Sequence, residues 1–200
     1  MARALAVGRD VICVDFRGHG RSGGRFTFLA SENTDLLAVL AFAREHYQRI
    51  SVIGFSLGGT IAINTLSRDR VQVHSLITVG TPCVFEDIEF NIWAPGMVRR
   101  AIASMERGAG CRPGNLFLKK ECPLDQIKKL AGLPVLIMHG ENDTIVGVEH
   151  GRRLFQRASD PKRLGIIPCG GHADVLFREE TQLFCNLVEK WLTAAMPANN

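Results

Sequence analysis

Apolar residues along this chain alternate between two patterns: short, nearly unbroken runs, and longer stretches in which they recur every three or four positions. The runs are DVICVDF (10–16), ISVIGF (50–55), SLITVG (75–80), PVLIMHG (134–140) and RLGIIPC (163–169). Runs of this length, rich in Val, Ile and Leu, predict strands covered on both faces, as in a parallel sheet. Between them, 33–48 sets Leu36, Leu37, Val39, Leu40, Phe42 and Ala43 at helical spacing, with Asn33 as the N-cap. Further amphipathic helices are predicted over 57–67, 145–158 and 179–195. Such alternation predicts an α/β fold: a mostly parallel, doubly wound sheet of about five strands, with helices on both faces.

The rhythm breaks after Thr81. From there to about Leu130 no good strand pattern occurs, and about fifty residues is far beyond the usual connection of about 2–6. The aromatic and aliphatic content of this stretch predicts a small, partly helical cap (81–130) inserted within a single domain covering 1–200.

Composition narrows the function classes. A chain of 200 residues with 46% hydrophobic and 22% charged content is an ordinary single globular domain. The net charge is +4, but Arg99-Arg100, Lys119-Lys120 and Lys128-Lys129 are isolated pairs, so no nucleic-acid partner is expected. No apolar run approaches the ~20 residues of a membrane span. The opening Met1–Gly8 is too short, and too quickly followed by a strand pattern, to be read as a signal peptide. The six cysteines lack metal-ligand spacing; Cys13 falls in a strand pattern and Cys185 in a helix pattern, where cysteine acts as a small hydrophobe. A cytoplasmic location is the expectation.

The candidate chemistry lies where strands end, because open α/β sheets gather functional groups beyond the carboxyl ends of their strands. Ser56 follows the second run in GFSLGG, Asp143 follows the fourth in HGENDTIV, and His172 follows the fifth in CGGHADV. A serine hydroxyl attacks poorly until an imidazole takes its proton, and the imidazole needs a carboxylate to hold its tautomer. Glycines at 54 and 58 are expected to let the turn tighten around Ser56. The N–H of Leu57, opening the next helix, is the candidate oxyanion donor.

These motifs, together with DFRGHGRSGG (15–24), resemble the α/β-hydrolase fold family, most closely its serine-hydrolase branch of monoglyceride-lipase-like and serine-aminopeptidase-like proteins. The resemblance implies that the five runs are the family's strands four to eight. A sheet position between VICVDF and ISVIGF would then belong to a strand outside these 200 residues. An N-terminally truncated family member is the expectation, with a remodelled five-strand domain or a fragment completed by another chain as alternatives. Open sheet edges would invite self-association. The resemblance also makes Asp15, Arg17 and Gly18 shapers of a loop, His19 and His139 structural, and Leu57 the one remaining family-type oxyanion donor. Family members that cleave carbon–halogen bonds or epoxides carry Asp at the elbow, so Ser56 points away from those reactions.

The function expected is hydrolysis of carboxylic esters or related small acyl substrates through Ser56, His172 and Asp143, with no cofactor or metal. Phe85, Trp93 and Met97, with Phe90 and Ile92, either line an acyl-chain site or pack the cap onto the sheet. The alternative is a non-catalytic protein that keeps the three residues as a relic.

Overall fold

The computed structural model describes residues 1–85, 111–115 and 118–195. Its centre is a four-stranded sheet of β1 (Ser51–Phe55), β2 (Ser75–Val79), β3 (Val135–Gly140) and β4 (Lys162–Ile167), ordered as in the chain. Every pairing is parallel, with Phe55 beside Val79, Val79 beside Met138 and Gly140 beside Ile167. The carboxyl ends of all four strands therefore lie at one edge of the sheet, with β3 and β4 running two residues beyond the level of Phe55 and Val79.

Period-two alternation along each strand divides the core into two layers. Leu76, Val135 and Ile137 face one side, where α2 (Glu32–His46), α3 (Leu57–Asp69) and α5 (Val148–Arg157) supply Leu36, Leu40, Ile61, Ile63, Leu66 and Leu154. Ile77, Val79, Leu136, Met138 and Ile167 face the other, against α1 (Ala2–Leu5), α6 (Asp174–Glu179) and α7 (Thr181–Ala195), through Leu5, Phe177, Phe184, Val188 and Trp191. Ile63, Leu76, Ile77, Leu154 and Phe184 are wholly buried, each worth about 1.5–3 kcal/mol of transfer free energy.

Several expectations change. Residues 10–16 form no strand; Val11, Ile12 and Val14 are exposed, as is Cys13, which therefore is not the buried hydrophobe expected. The physical reason is hydrogen bonding: an apolar run becomes a strand only beside another strand. Here a cavity of about 1360 Å³ separates this segment from β1, lined by Val11, Val14, Val52, Ile53, Phe55 and Leu57 among others. Helix α2 begins at Glu32, with Ser31 as the N-cap two residues before the expected Asn33. Glu32 is buried, and accepts hydrogen bonds from the Thr27 N–H at 2.7 Å and the Thr27 hydroxyl at 3.0 Å. The helix expected over 179–195 is α7, which begins two residues later at Thr181, and a further helix, α6, precedes it and ends at Glu179.

Of the expected cap, residues 86–110 and 116–117 lie outside the described residues. Its last part returns to the main core. Helix α4 (Pro123–Gln126) and the 3₁₀ turn Ile127–Lys129 pack on α3, Ile127 is fully buried, and Asn64 Nδ2 donates to the Glu121 carbonyl at 3.0 Å. The free N-terminal stretch is tied to α7 by Arg9, whose guanidinium grips the Glu189 carboxylate with both terminal nitrogens.

The loop at 15–24 is anchored on α2. Asp35 accepts from the Arg17 backbone N–H at 2.9 Å and from the Arg17 guanidinium at 2.6–3.1 Å. Burial disfavours the charged form of Asp35, but the hydrogen bonds and charge of Arg17 outweigh it and hold the carboxyl below its ordinary range. A depressed folded value means that the stabilisation is complete above the unfolded value of ~3.9 and fades as pH falls below it. Asp35→Ala is therefore expected to lower the unfolding free energy by about 1–3 kcal/mol in urea titrations at neutral pH. The gap to the parent protein should narrow in the same titration at acid pH; a gap independent of pH would contradict the ion pair's role.

Candidate active site

Ser56 sits at the junction of β1 and α3 with φ +50° and ψ −120°, a conformation costing a non-glycine residue on the order of 1–3 kcal/mol. Backbone bonds hold it there: its N–H donates to the Val79 carbonyl at 2.8 Å, and its carbonyl accepts from the Gly59 N–H at 3.0 Å. A Cβ on Gly54 would lie 2.5 Å from Gly59 Cα and 2.6 Å from the Gly58 oxygen, so the strand can approach the helix only without a side chain. A Cβ on Gly59 would run into the Thr81 side chain. At Gly58 a Cβ would meet nothing within 4 Å. The crowded positions are thus 54 and 59, which corrects the expectation that Gly58 tightens the turn. Spacing along the sequence points equally to 58 and 59; only the position of Thr81 after β2 separates them.

The loops after β3 and β4 bring the other two residues to this serine. His172 Nε2 lies 3.0 Å from Ser56 Oγ, and His172 Nδ1 lies 2.7 Å from Asp143 Oδ2. Asp143 accepts only, so Nδ1 carries the proton toward it and Nε2 is left to accept from the serine hydroxyl in the neutral ring. The three residues that the sequence places in separate loops therefore form one hydrogen-bonded chain. Leu57 is the first residue of α3, so its N–H has no intrahelical acceptor.

Asp143 is fully buried through its side chain. Its Oδ1 accepts from the N–H groups of Ile145 at 3.0 Å and Val146 at 2.8 Å. These amides were not legible as partners in advance, although a carboxylate two and three residues before free N–H groups is the usual Asx-turn geometry. Burial opposes ionisation, but hydrogen bonds from His139, His172 and the Val146 N–H prevail and hold the carboxyl well below the ordinary carboxylate range. These bonds therefore favour the charged form of the carboxyl behind His172.

The remaining candidates are not links of the Ser56–His172–Asp143 relay itself. His19 hydrogen-bonds the Arg17 carbonyl through Nδ1 at 3.2 Å and rests edge-on against Phe26, with ring centroids 4.7 Å apart. His139 is buried beneath the Asp143 loop, its Nε2 2.7 Å from the Val146 carbonyl. Phe85 is half-buried, packed against the α2/α3 side of the core with its ring centroid 6.0 Å from that of Phe28. Trp93 and Met97 lie outside the described residues. Among the described residues, no group of three or more His, Cys, Asp or Glu side chains is placed to hold a metal ion, and no helix is long and apolar enough to cross a membrane.

Comparison with known proteins gives a consistent picture. The family model for the alpha/beta hydrolase fold matches residues 1–109. The chain is 24% identical over 195 residues to the uncharacterized protein YfhR of Escherichia coli (strain K12), a match covering 96% of this chain and 63% of that protein. It thus spans less than two thirds of that relative's length. Among solved structures, a bromoperoxidase from Bacillus anthracis superposes with a TM-score of 0.77 at 19% identity, covering 96% of this chain and 84% of that one. An esterase from Rhodococcus sp. ECU1013 gives 0.74 at 19% identity, with the same coverage of 96% and 84%. At such identities the likeness is one of fold.

The elbow geometry separates two neighbouring glycines. Gly59→Ala is expected to destabilise by about 1–3 kcal/mol through the clash with Thr81. Gly58→Ala, in the first turn of α3 with free space around it, is expected to stabilise by about 0.4–1 kcal/mol. Thermal unfolding of both variants beside the parent checks the contrast, and equal effects would contradict the packing described.

Proposed function

The chain belongs to the alpha/beta hydrolase fold family, and from that premise we propose that it is a serine hydrolase of carboxylic esters or closely related acyl compounds. The observation that carries the reading is the unbroken relay from Ser56 Oγ to His172 Nε2 at 3.0 Å and from His172 Nδ1 to Asp143 Oδ2 at 2.7 Å. The fold it shares with an esterase supports the choice of ester substrates.

In this reading Ser56 Oγ attacks the acyl carbonyl carbon as His172 Nε2 takes the hydroxyl proton. The carbonyl electrons move to oxygen, where the Leu57 N–H stabilises the developing charge; one such donor is worth on the order of 10²–10³ in rate. His172 then returns the proton to the departing alcohol, leaving an ester bond to Ser56. Water attacks that ester, again giving its proton to His172, and the acid leaves as Ser56 recovers its hydrogen. Asp143 stays ionised throughout, steadying the imidazolium that forms and reforms. Phe85, Trp93 and Met97 are the residues proposed to meet the acyl chain.

A second reading is favoured by one observation, the cavity of about 1360 Å³ that runs along β1 to Leu57 and Gly58. A site with open space beside its oxyanion donor would hold the carbonyl poorly, and the chain would then be a non-catalytic member retaining the three residues.

A fluorophosphonate probe distinguishes the two. The serine-hydrolase reading expects covalent labelling of Ser56 in the folded 200-residue protein, none in Ser56→Ala, and loss of ester turnover by up to ~10⁶-fold in that variant. Turnover should fall on the acid side, as a protonated imidazole cannot accept the serine proton. A folded protein that neither labels nor hydrolyses p-nitrophenyl esters would establish the non-catalytic reading.

A further inference from the structure

His139 has no part in the relay, yet it is bound to the loop that carries the acid. It is the next-to-last residue of β3, and its side chain is wholly buried. Its Nε2 lies 2.7 Å from the Val146 carbonyl, an acceptor, so Nε2 carries the ring hydrogen. The same nitrogen is 3.4 Å from Asp143 Oδ2, the oxygen that receives His172. Val146 is consequently held at both ends of its residue: its N–H donates to Asp143 Oδ1 at 2.8 Å and its carbonyl accepts from His139.

The other side of the ring is shaped with equal care. Among the described residues Nδ1 meets no hydrogen-bond partner, so a second proton there would have no acceptor. A Cβ on Gly151 of α5 would stand 2.7 Å from Nδ1 and 3.0 Å from the His139 Cβ. Glycine is a poor helix residue, and at this place it leaves room for the imidazole. The titratable groups around the ring are Asp143 on its own loop, His172 behind Asp143, and His150 next to Gly151, whose Nδ1 accepts from the Cys83 N–H at 3.1 Å.

We propose that His139 is a positioning residue for the acid: seated between Gly151 and the Val146 carbonyl, it fixes the 143–146 turn so that Asp143 Oδ2 faces His172. The inference rests on the reading of Ser56, His172 and Asp143 as the reacting chain, and it adds a fourth residue that acts through Asp143. A hydrophobic side chain at 139 would leave the buried Val146 carbonyl without a donor, and the turn would have to open toward water to satisfy it. Asp143 would turn with it.

The test uses the 200-residue protein and His139→Leu, His139→Gln and Gly151→Ala variants, each confirmed folded by cooperative thermal unfolding. The first readout is the low-field proton NMR signal of His172 Nδ1–H in its hydrogen bond to Asp143, which needs no turnover. The second is the rate of fluorophosphonate reaction at Ser56. His139→Leu should abolish the low-field signal and slow labelling by about tenfold to a hundredfold, the scale of a small misplacement of a reacting group. His139→Gln, which keeps an N–H for Val146, should restore both in part. Gly151→Ala should displace the ring and weaken the signal without removing the imidazole, and its readings are taken well below its own unfolding midpoint, so that a site effect is separated from a loss of stability. Low-field signals and labelling rates that stay at parental values in His139→Leu and Gly151→Ala would overturn the proposal, as would a parent protein lacking the signal. Should His139→Leu fail to fold, Gly151→Ala decides alone. A parental signal that responds to these variants while Ser56 never labels would uphold the positioning role and reject the hydrolase reading.

Discussion

A carboxylate removed from water is strongly disfavoured unless donors replace its hydration, and the buried Asp143 side chain meets that condition from three directions. The Ile145 and Val146 amides take one oxygen, and His172, with His139 beyond it, takes the other. These donors come from three pieces of backbone, so the charge can be buried only if β3, its following turn and the loop after β4 are all in place. The direction in which the Asp143 carboxyl is shifted reflects this: the bonds prevail over burial. Folding and the polarisation of His172 are thus two consequences of one set of hydrogen bonds.

The sheet makes that convergence possible. Because β1, β3 and β4 run parallel, the turns bearing Ser56, Asp143 and His172 emerge on one edge. The elbow adds a local requirement. Ser56 is strained at φ +50°, and the strain is held by its bond to the Val79 carbonyl and by close contact of Gly54 with Gly59. Strand β2, which contributes no reacting group, therefore locates the serine through Val79 and the helix through Thr81.

The opposite margin of the sheet is built differently. Among the described residues strand β1 is paired on one side only, and beyond it lies the cavity bounded by residues 10–16. Unpaired strand edges favour association with further polypeptide. The N-terminal stretch is nonetheless fastened at both ends, by Arg9 on Glu189 and by Arg17 on Asp35, so it is held near the sheet without joining it. The cavity reaches Leu57, which links the state of this margin to the environment of the candidate oxyanion donor.

Much of this was written in local pattern. The alternation of apolar runs with helical spacing determined four strands and the helices that cover them, because burial on both faces of a parallel strand leaves a signature in a few consecutive residues. The loop positions of Ser56, Asp143 and His172 were equally legible, since each follows one of those runs. Tertiary structure decided what depends on neighbours distant in the chain. DVICVDF has the composition of a strand, but hydrogen bonding to an adjacent strand makes one, and none lies beside it among the described residues. Gly58 and Gly59 are alike in sequence and differ only because Thr81 stands over one of them. His139 reads as an apolar strand's last buried side chain, and its tie to Asp143 exists only once the turn folds back and places the Val146 carbonyl on its ring. Periodicity is a property of nearby residues; contact between loops is a property of the closed fold.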